Sequence, residues 1–321
     1  MRICLLLGLV APLIAAAEAA GESSVSLQFD HLYTFGSKNG IHPPKLANRK
    51  LLRAALGNGD FPWGLAHPSA VTTDLKRNVW IADPVIASVH VFGPKNGAYH
   101  EIKKVGDLAL QEPYGLVTDA AGRVYLTDAA NGGVFVFDEN GEYDRALFKR
   151  GEHPLEKPTA ITLSEDGRTI YVLDPPRNAF VALDREGGVN QTITLPQENM
   201  EPCAISVINN QLYVLGSRQH RVQILSPAGR PRGELQWEGV NIPTAFTYDP
   251  MQHQFLVGNP RFMVVQAFNE EGVNLASFGR LGVAVDQMER IDSLYVDPQG
   301  LVYVVDSRLG KVIVFGPSQQ R

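Results

Sequence analysis

The chain has 321 residues, 44% of them hydrophobic, with 29 Lys and Arg against 34 Asp and Glu, for a formal net charge of −5. So mild a balance gives no general affinity for nucleic acid or anionic membranes, and this hydrophobic content suffices to bury a core. Of its two cysteines one is Cys4, so processing of the N-terminus would leave Cys203 alone and exclude an intramolecular disulfide.

In chain order, the first element reads as an export signal over residues 1–19. Arg2 supplies the positive start, Ile3 to Ala16 is apolar, and Ala17-Glu18-Ala19 offers small residues for cleavage. The apolar run is short for a membrane span. The expectation is a soluble protein, secreted or periplasmic, with a retained N-terminal anchor as the alternative. A β-rich run follows, from Leu27 to Gly36. The insert at 36–67 holds one helical candidate, Lys45 to Leu56, whose Leu46, Leu52, Ala55 and Leu56 share a face apart from Lys45, Arg49, Lys50 and Arg53.

A repeat then takes over. Pro68-Ser-Ala-Val-Thr-Thr-Asp returns at Pro113, Pro158, Pro202 and Pro243, and a sixth copy begins at Ile291; the steps are 45, 45, 44, 41 and 48 residues. Each copy continues through a turn, a β-rich run such as Val124-Tyr-Leu-Thr, a loop and a third run such as Val134-Phe-Val-Phe. A glycine-bearing turn then leads to a fourth strand. Four strands at this period predict an all-β, six-bladed β-propeller over residues 27–317, four antiparallel strands per blade. The last copy ends at Phe315-Gly-Pro without a fourth strand. Leu27 to Gly36 resembles the fourth-strand ending Asn274 to Gly279, so the N-terminal strand is expected to close the last blade and leave no bare edge. Ala70, Gly115, Ala160, Ala204, Ala245 and Ser293 stand two residues past the repeat start, small enough for inner strands converging on an axis.

Tyr303-Val-Val-Asp306-Ser307 and Ser217-Arg218-Gln219-His220-Arg221 resemble the motif of the NHL-repeat family. The resemblance implies a six-bladed propeller from a group that includes enzymes, ligand binders and interaction platforms. This chain departs from the motif where Gly216 and Gly258 stand for the Asp found at Asp83, Asp128, Asp174 and Asp306.

In such a fold the blade connections and the loops between second and third strands share one face. The long segments lie there, and function concentrates in loops on a rigid scaffold. His67, Glu112, Lys157, Glu201, Ile242 and Arg290, just before the repeat starts, should ring the channel mouth, with Tyr114 one residue past its Pro. Arg177, Arg218, Arg261 and Arg308 fall in the second-to-third-strand loops near the Asp set. On one reading these arginines clamp a carboxylate or phosphate. On the other, the Asp residues bind turn amides and the Arg stems cover the rim. The ligand-binding candidates are therefore His67, Tyr114, Lys157, Arg177, Arg218, Arg261, Arg290 and Arg308.

Chemistry-bearing motifs are missing. The eight histidines include no His-x-x-x-His pair, and Gly-x-Ser-x-Gly, phosphate-loop and EF-hand patterns are absent. His42, His153 and His220 fall on the loop-rich face, whereas His90 and His100 fall on outer strands and are expected at the surface. Cys203 reads as inert packing. No catalytic residue, metal ligand or cofactor is assigned. The expected function is a monomeric, exported, non-catalytic module binding a protein or small anionic ligand, without nucleic acid. The alternative is a lyase or hydrolase of the six-bladed type needing Zn or Ca, acting on peptidyl hydroxyglycine or a lactone.

Overall fold

Runs of β-branched and aromatic residues separated by Gly, Asn and Asp turns build this molecule, a computed structural model describing residues 28–36, 64–93, 98–148, 155–195, 201–216 and 221–318. The expected signal, the basic helix at 45–56, Arg218, His42, His153 and His220 lie outside the described residues.

The chain begins with β1 (Phe29–Gly36). Blade one is β2 (Ala70–Thr73), β3 (Val79–Asp83), β4 (Ser88–Phe92) and β5 (Tyr99–Ile102), followed by the small hairpin β6 (Lys104–Val105) and β7 (Leu108–Ala109). Blade two is β8 (Pro113–Thr118), β9 (Val124–Asp128), β10 (Gly133–Phe137) and β11 (Tyr143–Phe148). Blade three is β12 (Ile161–Leu163), β13 (Ile170–Asp174), β14 (Ala179–Leu183) and β15 (Val189–Thr194), with a 3-10 turn at Pro175–Arg177. Blade four is β16 (Pro202–Ile208), β17 (Gln211–Gly216), β18 (Arg221–Leu225) and β19 (Pro231–Leu235). Blade five is β20 (Phe246–Asp249), β21 (Gln254–Asn259), β22 (Val264–Asn269) and β23 (Asn274–Phe278). Blade six is β24 (Ser293–Val296), β25 (Val302–Asp306) and β26 (Lys311–Pro317), completed on its outer side by β1. Six four-stranded antiparallel sheets therefore stand in a ring, as the repeat implies.

Closure occurs where the sequence places it. β1 pairs antiparallel with β26 from Phe29↔Pro317 to Gly36↔Lys311, so the first described strand covers what would be a bare edge.

The core is a ring of six inter-blade clusters, which follows from the period of a strand. Successive side chains point to opposite faces, and a blade is covered on both faces by its neighbours. Val79 and Ile81 join Val305 and Val312 of blade six, while Trp80 and Ala82 join Leu126 and Phe135 of blade two. The middle strands accordingly read as unbroken apolar runs, and β3, β9, β13 and β25 are buried along their whole lengths.

Each of those four strands ends in an Asp with no exposure. Asp83 accepts hydrogen bonds from the Ala66 and His67 amides at 2.6 and 3.0 Å. Asp128 accepts from Gln111 and Glu112 at 2.8 and 3.0 Å, and Asp174 from Glu156 and Lys157 at 2.8 and 3.0 Å. Asp306 accepts from Glu289 at 2.7 Å. Every one ties down the connector entering its own blade, a contact beyond the expected turn amides, which Asp83, Asp128 and Asp306 also bind at Val85, Asn131 and Leu309. The register corrects the repeat in blade five, where Asn259 and not Gly258 holds the Asp position, paired with Val264 as Asp83 is with Ser88. Asn259 also reaches its connector, donating to the Gly239 carbonyl at 3.1 Å.

Small residues on the inner strands serve blade-to-blade approach. A Cβ on Gly115 would lie 2.3 Å from the Thr159 carbonyl oxygen of blade three, so any side chain there forces the two blades apart.

Candidate functional site

The inner strands of all six blades enclose a central channel of about 980 Å³. Two residues at each repeat start set its mouth: the one before the Pro position, which ends the incoming connector, and the one after it. His67, Glu112, Ile242 and Arg290 line the channel from the first set; Ser69, Tyr114, Cys203, Thr244 and Asp292 line it from the second.

Of the expected ligand residues, the structure brings His67, Tyr114 and Arg290 to the channel wall. Lys157 stands outside that lining and pairs with Glu112 across the blade two–three boundary at 3.0 Å. Of the remaining arginines, Arg177, Arg261 and Arg308 stand in blades three, five and six, each with a local partner. Arg177 lies 3.6 Å from Asp174 and 3.9 Å from Glu156, and Arg308 lies 3.2 Å from Glu289. The Arg261 guanidinium sits 5.3 Å from the centroid of the Phe262 ring. Among the described residues, no two of these arginines meet over one point.

Arg290 is the charged group best placed for a ligand. Its Nε pairs with Asp292 Oδ1 at 2.6 Å, and the other Asp292 oxygen accepts from the Ser307 amide at 2.9 Å. Asp292 and Ser307 were not singled out in the sequence. The available signal was a carboxylate in the sixth copy, where the other five carry Ser69, Tyr114, Thr159, Cys203 and Thr244.

Tyr114 is half-buried, and its phenol makes no hydrogen bond to any described residue. Burial raises its pKa above the ordinary tyrosine value, Asp292, Cys203 and Glu112 add to the rise, and Arg290 opposes it. The phenol therefore stays protonated, an aromatic face with a free donor.

Cys203 borders the channel and is exposed to it, in place of the buried packing expected from sequence. Wall atoms still crowd its sulfur, which contacts the Leu215 carbonyl at 3.5 Å, and desolvation pushes the thiol up to about 12. A thiol held there is a poor nucleophile at neutral pH.

His90 also departs from expectation. It is 2% exposed, with Nε2 3.1 Å from Ser88 Oγ and Nδ1 2.9 Å from Tyr99 Oη. A blade flanked on both sides buries its third strand, so an outer position in sequence order is interior in space. His100 is exposed as expected. Among the described residues, no three His, Cys, Asp or Glu side chains converge as a metal would require.

Comparison with known proteins agrees on architecture. A family profile described as a 6-bladed beta-propeller matches residues 107–223. No curated protein sequence matches significantly. Among solved structures, virginiamycin B lyase from Staphylococcus aureus is similar at 15% identity and TM-score 0.59, over 90% of this chain and 98% of the lyase. A protein of unknown function from Bacteroides thetaiotaomicron is similar at 12% identity and TM-score 0.65, over 91% of this chain and 76% of the other. A chain of a nidogen/laminin complex is similar at 16% identity and TM-score 0.54, over 74% and 88% respectively. At such identities the likeness is one of fold alone.

Proposed function

We propose that this chain is an exported, non-catalytic binding module with an NHL-like repeat, and that its ligand enters the central channel from the loop-rich face. The carrying observation is Tyr114: a protonated phenol without a described partner, on the wall of an open channel, beside the Arg290–Asp292 pair. Sites of this kind combine a concave, largely preformed cavity with a few placed polar groups. The six inter-blade cores and the pinned connectors make the wall rigid, which keeps the entropy cost of binding low.

Export rests on the signal-like residues 1–19. The solved neighbours include both a lyase and a chain from a nidogen/laminin complex, so the fold accommodates either kind of role. A zinc or calcium ion, which the lyase or hydrolase reading needs, finds no set of three ligands among the described residues.

The test is capture of partners from native extract by the immobilised chain, with Tyr114→Ala and Arg290→Ala as variants. Loss of a captured ligand in both variants supports the site. Capture unchanged by either places binding elsewhere.

A further inference from the structure

Hydroxyl groups on the channel wall are distributed unevenly, although the repeat places them at equivalent positions. Four residues past each repeat start stand Thr72, Val117, Thr162, Ser206, Thr247 and Tyr295, all lining the channel. On the side formed by blades six, one and two these groups are occupied. Tyr295 Oη lies 2.9 Å from Thr73 Oγ1, and Thr72 Oγ1 lies 3.0 Å from Thr118 Oγ1. On the side formed by blades three, four and five, Thr162, Ser206 and Thr247 are half-buried and hydrogen-bond to no described residue. Ser307 adds an orphan at the mouth: it is 2% exposed, lines the channel beside Asp292, and its Oγ has no partner.

Charge at the same mouth is cancelled. Arg290 is matched by Asp292 and Lys157 by Glu112. A strongly charged ligand would have to separate one of these pairs. A wholly apolar ligand would desolvate the Thr162, Ser206 and Thr247 hydroxyls with nothing to replace their water, which is costly for each group.

We infer that the channel takes a neutral, polyhydroxylated ligand of the saccharide class, held by the Thr162–Ser206–Thr247 hydroxyl row with Tyr114 stacked on a sugar face. This rests on the binding-module reading and narrows it. Sugar hydroxyls both donate and accept, so they suit Ser and Thr groups that lack internal partners. The C–H face of a pyranose suits an aromatic ring that is exposed on one side. A channel of about 980 Å³ stands at the upper end of small-ligand cavities and has room for more than one sugar ring.

The experiment is saturation-transfer NMR and calorimetry on the full chain with three neutral trisaccharides: maltotriose, cellotriose and N,N′,N″-triacetylchitotriose. An uncharged pentapeptide and citrate serve as competing classes. At least one trisaccharide is expected to bind. Tyr114→Ala should weaken it by about tenfold, and the near-isosteric pair Thr162→Val and Thr247→Val by about fivefold each, the loss of one hydrogen bond apiece. Thermal melts of the valine variants should match the parent, separating a binding defect from a folding one. Failure of all three sugars to bind overturns the saccharide assignment, as does binding that none of the variants weakens. Peptide or citrate bound in their place, and lost in Tyr114→Ala, overturns the sugar class while leaving the channel as the binding site. Probes that bind but ignore Tyr114→Ala and Arg290→Ala sink the underlying reading as well.

Discussion

Asp306 and Lys311 close the register between β25 and β26, and the Lys311 ammonium reaches past this pair to donate to the Ala284 carbonyl at 2.7 Å. The connector between blades five and six is thereby stitched to the closing blade, and Thr34 of β1 adds a second stitch to the Val285 carbonyl at 2.7 Å. Lys311 is only 1% exposed. Burial pulls its amine below the ordinary lysine range, against the upward pull of Asp306, Asp286 and Glu289. Lys311→Met keeps the stem and removes the donor, leaving the Ala284 carbonyl without its hydrogen bond. A loss of roughly 1–3 kcal/mol is expected in urea unfolding. An unchanged midpoint would show that the connector is held by other contacts.

The pinning carboxylates make a second prediction. Asp128 accepts from the amides of Gln111, Glu112 and Asn131, and from the Asn131 side chain. Asp128→Ala strands these donors beneath the channel mouth and should cost about 2–4 kcal/mol. Asp128→Asn, which keeps one acceptor oxygen, should cost less. Because Glu112 and Tyr114 ride on this connector, ligand affinity should fall in Asp128→Ala even under conditions where the protein stays folded. Chemical denaturation paired with calorimetry separates the two effects.

These contacts also mark what sequence could and could not tell. The six blades and the seam at β1 were readable because a strand's place in a blade is a local pattern, repeated at a near-constant step. The Asp set and its turn contacts were visible too, but its connector partners were not, since Asp83 and the amides of Ala66 and His67 meet only after the blade has folded. Blade five misled for a related reason: Gly258 and Asn259 are neighbours in the text, and only the pairing of Asn259 with Val264 decides which one holds the corner. The mouth was half legible. His67, Tyr114 and Arg290 were located by their offset from the repeat start. The pairing of Arg290 with Asp292 depends on rotamers that no periodicity encodes.

His90 supplies a pH dependence. Burial lowers its pKa beneath 6.5, opposed by Asp83 and Glu101 and aided by Lys103; its ring nitrogens face the hydroxyls of Ser88 and Tyr99. A histidine whose folded value is depressed stays neutral in the native state while the unfolded chain takes up a proton. The unfolded state then binds more protons, so stability falls as pH drops below about 6.5 and continues to fall toward the folded value. His31, also lowered by burial, acts in the same direction. Thermal melts between pH 5 and 8 should show this slope, and His90→Gln should flatten part of it. A parent protein equally stable at both ends would remove His90 from the account.

Cys203 gives the last prediction, from opposing facts about one side chain. Its sulfur borders the channel, so a small reagent can reach it, yet desolvation holds the thiol at about 12. Alkylation proceeds through the thiolate. With the free-thiol value near 8.5, modification by iodoacetamide at neutral pH should run roughly 3,000-fold slower than for a free cysteine, as the thiolate fraction falls. Burial alone would give slow labelling at every pH below unfolding. An accessible but undissociated thiol instead gives a rate that climbs about tenfold per pH unit well past pH 9. Labelling that levels off near pH 9 would mean that the channel wall hydrates this sulfur as bulk water does. The polar row of Thr162, Ser206 and Thr247 would then compete with water more cheaply than the saccharide inference assumes.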